Sequence, residues 1–234
     1  MKATLAAFFF LAFVSVLSPR ATAQSGPPAL CKPCLFYAGD FDETDPNSAV
    51  FPNENTFVYD DVKTYGAVTI PQNHSALLEG LLFQIQFDGT VKLDPNVATW
   101  EVRVGVSEGN GGILVASGQS VAHLQPTGRE GNGPEYSLAV KVNPPVTINA
   151  GTYWFNVTPQ CVKKNDPACS SNQYGVSNTT SETNTFRGAI QPVGKMFINS
   201  DYLGYPYTWE NICDLTSPQT CARLSFGLIG KVLQ

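Results

Sequence analysis

Residues 100–117 read Trp-Glu-Val-Arg-Val-Gly-Val-Ser-Glu-Gly-Asn-Gly-Gly-Ile-Leu-Val-Ala-Ser, and this stretch decides the fold class. Trp100, Val102, Val104 and Val106 alternate with Glu101 and Arg103. A period of two belongs to a strand with one dry face and one wet face. Asn110-Gly111 supplies a turn that favours positive φ, and the apolar run Ile113 to Ala116 follows it. The stretch therefore predicts a β-hairpin.

The same alternation recurs on both sides of this hairpin. Phe83, Ile85 and Phe87 alternate with Gln84 and Gln86, and Leu138, Val140 and Val142 with Ala139 and Lys141. Tyr153, Phe155 and Val157 alternate with Trp154, Asn156 and Thr158, which places Asn156 outward. Leu224, Phe226 and Leu228 repeat the pattern. Only His74 to Gly80 can be written as a helical turn, and polar Ser170 to Thr185 predicts a loop with one edge strand. Short amphipathic strands without helices between them predict an all-β fold, a single antiparallel β-sandwich over 31–234.

The N-terminus carries an address. Lys2 precedes an uncharged apolar run from Ala3 to Leu17, and Ala21-Thr22-Ala23 forms an A-x-A cleavage site before Gln24. This is the layout of a secretory signal peptide over 1–23, followed by a flexible lead-in over 24–30. The run is shorter than the roughly 20 residues a spanning helix needs. Gly230 to Gln234 shows no anchor or sorting signal, so a released, secreted product is expected, extracellular or periplasmic.

Removing Lys2 and Arg20 leaves 12 basic against 19 acidic residues, net −7. An acidic chain without a basic cluster argues against nucleic acid, or a membrane after cleavage, as partner. Gly 20 and Pro 17 interrupt helices and favour turns.

In an oxidising compartment six cysteines predict disulfides. They fall in local pairs: Cys31 with Cys34, Cys161 with Cys169, and Cys213 with Cys221. Neighbour pairing is the simplest expectation, although sequence alone does not select a connectivity. Cys31-Lys32-Pro33-Cys34 sits in Pro-rich chain rather than a βαβ context, which favours a structural staple over a redox dithiol. No second C-x-x-C completes a zinc site.

Three motifs bear on chemistry. Gly105-Val106-Ser107-Glu108-Gly109 matches the G-x-S-x-G nucleophile elbow, but a second strand follows where the elbow needs a helix. Asp40, Asp42 and Asp45, with Glu43 and Asn47 close by, are candidate ligands for a structural calcium ion, which takes carboxylate and carbonyl oxygens. The EF-hand pattern fails there, and a solvated turn is the plainer reading. Tyr202, Tyr205, Tyr207 and Trp209 crowd one short stretch with Gly204 and Pro206. Exposed rings on such a loop stack on sugars, whereas buried ones simply pack. N-x-S/T sequons stand at Asn73, Asn156 and Asn178.

Tyr37 to Asp42 (YAGDFD), Trp100 to Gly118 and Ala150 to Pro159 (AGTYWFNVTP) resemble segments of uncharacterised secreted β-sandwich proteins of environmental bacteria. The last resembles the late-strand signature of jelly-roll-like exported modules. The resemblance implies a bacterial exported sandwich, jelly-roll-like, and supplies no catalytic residue.

These readings predict a secreted, non-catalytic binding or structural module, stapled by disulfides. Its expected ligand is carbohydrate and its expected partners a polysaccharide or another extracellular protein. The alternative is a small extracellular hydrolase acting on polysaccharide or peptide. That chemistry needs two facing carboxyls, or a nucleophile with its base, and spacing alone places neither.

Overall fold

A computed structural model describes residues 28–41, 50–52, 54–56, 60–87, 93–131, 133–162, 176–179, 187–188, 190–200, 204, 207–212 and 223–233. The expected signal peptide lies outside the described residues, as do Asp42, Asp45, Cys169, Cys213, Cys221, Tyr202 and Tyr205. The described chain is almost entirely strand: β1 Cys34–Tyr37, β2 Val50–Pro52, β3 Glu54–Thr56, β4 Asp60–Ile70, β5 Ser75–Phe87, β6 Leu93–Val104, β7 Ile113–Ser120, β8 His123–Glu130, β9 Pro134–Ile148, β10 Gly151–Cys161, β11 Val176–Thr179, β12 Arg187–Gly188, β13 Gln191–Asn199, β14 Trp209–Asn211 and β15 Phe226–Leu233.

Two sheets stack, and nearly all pairings are antiparallel. The first runs β12-β1-β15-β5-β11-β2, with β9 on the other edge of β5 and β8 beyond β9. Along β5, β15 pairs from Ser75 to Phe83, and β11 takes over at Ile85 to Phe87. The second runs β14-β13-β4-β3-β10-β6-β7, with β4 also paired to β10. Apolar positions of both sheets meet in one buried core that includes Phe36, Leu81, Phe83, Trp100, Leu138, Phe155 and Phe226.

The predicted hairpin over 100–117 is present, with Val102 opposite Ala116 and Trp100 opposite Gly118. Its turn chemistry differs from expectation. Positive φ occurs at Gly105, Gly109 and Gly112 rather than at Asn110-Gly111. Gly105, at φ 68, ends β6 and reorients the chain. Val106 thereby leaves the core face and packs with Tyr65 and Trp154 on the outer face.

Three further expectations are corrected. His74 to Gly80 is the start of β5, not a helical turn: His74 closes the turn from Pro71, and Ala76 to Leu78 pair in the ladder with β9. The polar segment around Val176–Thr179 holds a strand flanked by β5 and β2, not an edge strand. The supposedly wet positions Gln84, Gln86, Trp154, Asn156 and Thr158 are buried. The outer faces of β5 and β10 are covered, so alternation there separates two dry environments rather than core from water.

On the first sheet the cover is the chain on either side of β1, with Pro28 and Ala29 beside Gln125, Thr127 and Ser137, and Asp40 beside Arg129. Cys31 and Cys34 are disulfide-bonded, with Cα atoms 4.8 Å apart. Cys31 packs with Tyr37, Leu82 and Ala139 on the side of the sheet away from the main core. Cys161 is also disulfide-bonded.

Candidate functional site

The outer face of the second sheet carries an aromatic and charged surface. Adjacent strands bring Lys63 and Tyr65 of β4, Trp154 of β10, Glu101 and Arg103 of β6, and Phe197 of β13 to this side. Trp154 meets Phe197 edge-on, with centroids 5.0 Å apart. Tyr65 lies 4.8 Å from the Trp209 ring. Arg103 holds its guanidinium 5.0 Å from the same indole, a cation–π arrangement.

Glu101 binds this surface together. Its Oε1 accepts from Lys63 Nζ at 2.9 Å, and its Oε2 accepts from Arg103 Nε at 2.7 Å and from the Tyr65 hydroxyl at 2.9 Å. Arg103 Nη1 donates onward to the Gly111 carbonyl at 3.0 Å. Burial alone would raise the Glu101 carboxyl, but the hydrogen bonds from Lys63 and Arg103 outweigh it and hold the group below its ordinary value. Burial, and then Glu101 itself, push the Tyr65 phenol far up, so Tyr65 stays a donor.

This geometry sets a pH dependence. A carboxyl whose folded pKa is depressed stabilises the fold above its unfolded pKa, and loses that contribution as pH falls through the folded value. Wild type should exceed Glu101→Gln in stability by a constant margin at neutral pH. The margin should shrink once pH drops below the ordinary value of 4.5. Urea midpoints of the two proteins across pH 3–8 measure it; a margin independent of pH contradicts the assignment.

The β6–β7 loop supplies the rim. Ser107 and Asn110 exchange backbone hydrogen bonds at 2.9 Å, closing a tight turn. The Asn110 side chain accepts from the Gly112 amide at 2.8 Å. Glycine at 111 is a steric requirement, since a Cβ there would lie 2.5 Å from the Trp209 ring. The Gly109 amide donates to the Trp209 carbonyl at 2.9 Å, tying the loop to β14. Tyr207 stands beside Gly109 and is 50 % exposed.

Of the four predicted aromatic residues, two are placed. Trp209 packs in β14 against Tyr65, Arg103 and Gly111, whereas Tyr207 presents its ring to solvent. Ser107 sits in a hairpin turn and β7 follows it, so the strand-to-helix elbow of a hydrolase is not formed at this motif. Asp40 accepts from the Tyr37 hydroxyl at 2.6 Å and pairs with Arg129 at 3.3 Å. No cluster of metal-ligating side chains occurs among the described residues. Lys63, Tyr65, Trp154 and Phe197 escaped sequence reading, because only the β13-β4-β10-β6 pairing brings them together. The signal for them was the polar–aromatic half of each alternating strand.

A second polar cluster lies on the outer side of the first sheet. Glu135 is buried; its Oε2 accepts from Arg129 Nε at 2.6 Å and Thr127 Oγ1 at 2.8 Å, and its Oε1 from Thr179 Oγ1 at 2.8 Å. Burial pushes its carboxyl up, while Arg129 and the two threonines pull it back down. Gln84 donates to the Tyr37 hydroxyl at 3.1 Å and accepts from Ser137 at 2.9 Å. Arg129 is only 5 % exposed, and the cluster is a sealed structural network rather than an acid open to substrate.

The sequons separate by environment. Asn73 is exposed in the β4–β5 turn, with φ 63. Asn156 is 0 % exposed; it donates to the Thr64 carbonyl at 2.9 Å and accepts from Thr158 at 2.8 Å. Asn156 lies opposite the main core, as alternation implied, but it is not outward in the sense of reaching solvent.

Comparison with family models, curated proteins and solved structures finds no match for this chain.

Proposed function

We propose that this chain is a secreted, non-catalytic binding module that holds carbohydrate at the rim of its second sheet. One observation carries the reading: the half-exposed Tyr207 ring rests at Gly109 of the glycine-rich β6–β7 loop, whose Gly111 is held by Trp209 and Arg103. A ring held by a stiff backbone meets the CH face of a sugar with little ordering cost. The apolar N-terminal run and the disulfides at Cys31, Cys34 and Cys161 support export into an oxidising compartment.

A jelly-roll connectivity is part of the proposal. Its support is the order β1-β15-β5-β9 in one sheet and β4-β10-β6-β7 in the other, with the chain crossing between sheets from β4 to β5, β5 to β6, β7 to β8 and β9 to β10. A structural calcium ion at Asp40, Asp42 and Asp45 is carried as a separate expectation, tested by melting with calcium against EGTA.

Affinity electrophoresis on a polysaccharide panel tests the binding reading. Tyr207→Ala should weaken retention about tenfold, the equivalent of ~1.4 kcal/mol. Trp209→Ala should weaken it further, because it also removes the ring that seats the loop. Retention on no glycan, or retention unchanged in Tyr207→Ala, rejects this site. Release of reducing ends from the same panel would instead establish the hydrolase.

A further inference from the structure

We infer that Asn110 is a site of self-modification, at which the Asn110-Gly111 linkage converts without an enzyme into an isoaspartyl linkage and loosens the β6–β7 loop. Asn110 is exposed, so water and base reach its amide. Its Oδ1 accepts from the Gly112 amide at 2.8 Å. That bond closes a ring of atoms containing both the Asn110 Cγ and the Gly111 nitrogen. The two atoms that must join are thus held in one small turn, and part of the entropy of bringing them together is already spent. The Gly112 N–H also faces the oxygen on which negative charge develops as Cγ becomes tetrahedral, as an oxyanion donor does. The Gly111 amide donates no hydrogen bond among the described residues, and residue 111 has no Cβ to shield its nitrogen.

Three other asparagines show the contrast. Asn73 is exposed, but the next amide, that of His74, donates to the Pro71 carbonyl at 3.2 Å. Asn199 is followed by Ser200, whose amide donates to the Thr208 carbonyl at 2.9 Å. Asn156 is buried with both ends of its side-chain amide bonded.

The step needs only water and base, and nothing is oxidised or reduced. Hydroxide takes the Gly111 amide proton, and the nitrogen attacks the Asn110 Cγ. The new C–N bond expels Nδ2, which takes a proton from water and leaves as ammonia. The cyclic imide then adds one water. Opening at the backbone carbonyl of residue 110 routes the main chain through Cβ and Cγ, which is isoaspartate; opening at Cγ gives aspartate. Either product adds one negative charge.

The isoaspartyl chain is one atom longer, and the loop has no room for it. Gly111 is pressed against Trp209, and its carbonyl accepts from Arg103 Nη1 at 3.0 Å. Ser107 and Asn110 are closed on each other by two backbone hydrogen bonds. The extra atom moves Gly111 off both partners, and the bond from the Gly109 amide to the Trp209 carbonyl opens with it.

Incubation of the native protein at mildly alkaline pH, beside the same protein unfolded in urea, is the test. Peptide mapping and labelling by an isoaspartyl methyltransferase locate the product. Asn110 should convert in the native protein at the unfolded rate or up to about tenfold above it. Asn132-Gly133 offers the same dipeptide and calibrates the unfolded rate. A native rate at Asn110 below the unfolded one would mean that the turn holds Cγ and nitrogen apart, and it overturns the inference. Hydrogen exchange then reads the loop: the Gly109 amide should lose protection in the aged protein. Asn110→Asp, which adds the charge without the extra atom, should keep it. Protection that survives ageing, or that is lost equally in Asn110→Asp, overturns the loosening. Neither readout involves glycan binding.

Discussion

Phe226→Ala is expected to lower the unfolding free energy by about 3–5 kcal/mol, because the site cannot collapse around the missing ring. Phe226 opens β15 in the first sheet, and its ring reaches partners in both sheets. Phe36 lies 5.2 Å away and Phe83 5.4 Å away within its own sheet, and Phe155 lies 6.4 Å away in the opposite one. On β4, Gly66 gives the ring a flat seat, since a Cβ there would stand 2.7 Å from it. Three strands of one sheet and two of the other thus converge on a single side chain. Phe226→Leu should cost clearly less, because most of the volume is kept. Urea unfolding of the three proteins at neutral pH measures the series. A loss under about 1 kcal/mol for the alanine variant would mean that the sheets close over the gap.

Arg129→Ala is expected to cost a similar amount, about 3–5 kcal/mol, by a different route. The Glu135 side chain is 0 % exposed, and Arg129 is its cationic partner. Removing the guanidinium strands that carboxylate in a dry setting and also takes the cation away from Asp40, which keeps the Tyr37 hydroxyl. Without Arg129, burial raises the Glu135 carboxyl further. A carboxyl raised above its unfolded pKa stabilises most below that pKa, and its contribution disappears as pH rises through the folded value. The deficit of Arg129→Ala should therefore be larger at pH 8 than at pH 4. Glu135→Gln added to the alanine variant should recover part of the loss at pH 8, because a neutral amide still accepts from Thr127 and Thr179. A deficit independent of pH, with no recovery, would locate the damage in packing instead.

The alternation at Trp100 and Val102, Phe83 to Phe87 and Tyr153 to Val157 made the two sheets legible, because their apolar residues do face a shared core. The same pattern misled at Gln84, Asn156 and Thr158. A polar residue marks the face away from the main core, but it does not reveal whether another layer lies on top. Here Gln84 satisfies itself with Tyr37 and Ser137, and Asn156 with Thr64 and Thr158. Tyr37, Ser137 and Thr64 come from strands distant in sequence, which no local pattern records. The site was half legible for the same reason. Tyr207 and Trp209 stood out as a cluster of rings, whereas Glu101, which links Lys63, Tyr65 and Arg103, read only as the wet side of a strand. Val106 shows the limit most simply, since one left-handed glycine sends it to the opposite face.

Strand β15 lies between β1 and β5, although every other described strand precedes it along the chain. Order of synthesis and order in space are thus opposed in the first sheet. A nascent polypeptide that has not yet reached Phe226 holds β1 and β5 with nothing between them. Closure waits on the final segment, and contacts that span nearly the whole length form last and slowly. Such a chain is hard to trap in finished form before it is fully made. The same delay makes it vulnerable: a fragment lacking β15 should join other fragments through its vacant inner edges instead of folding.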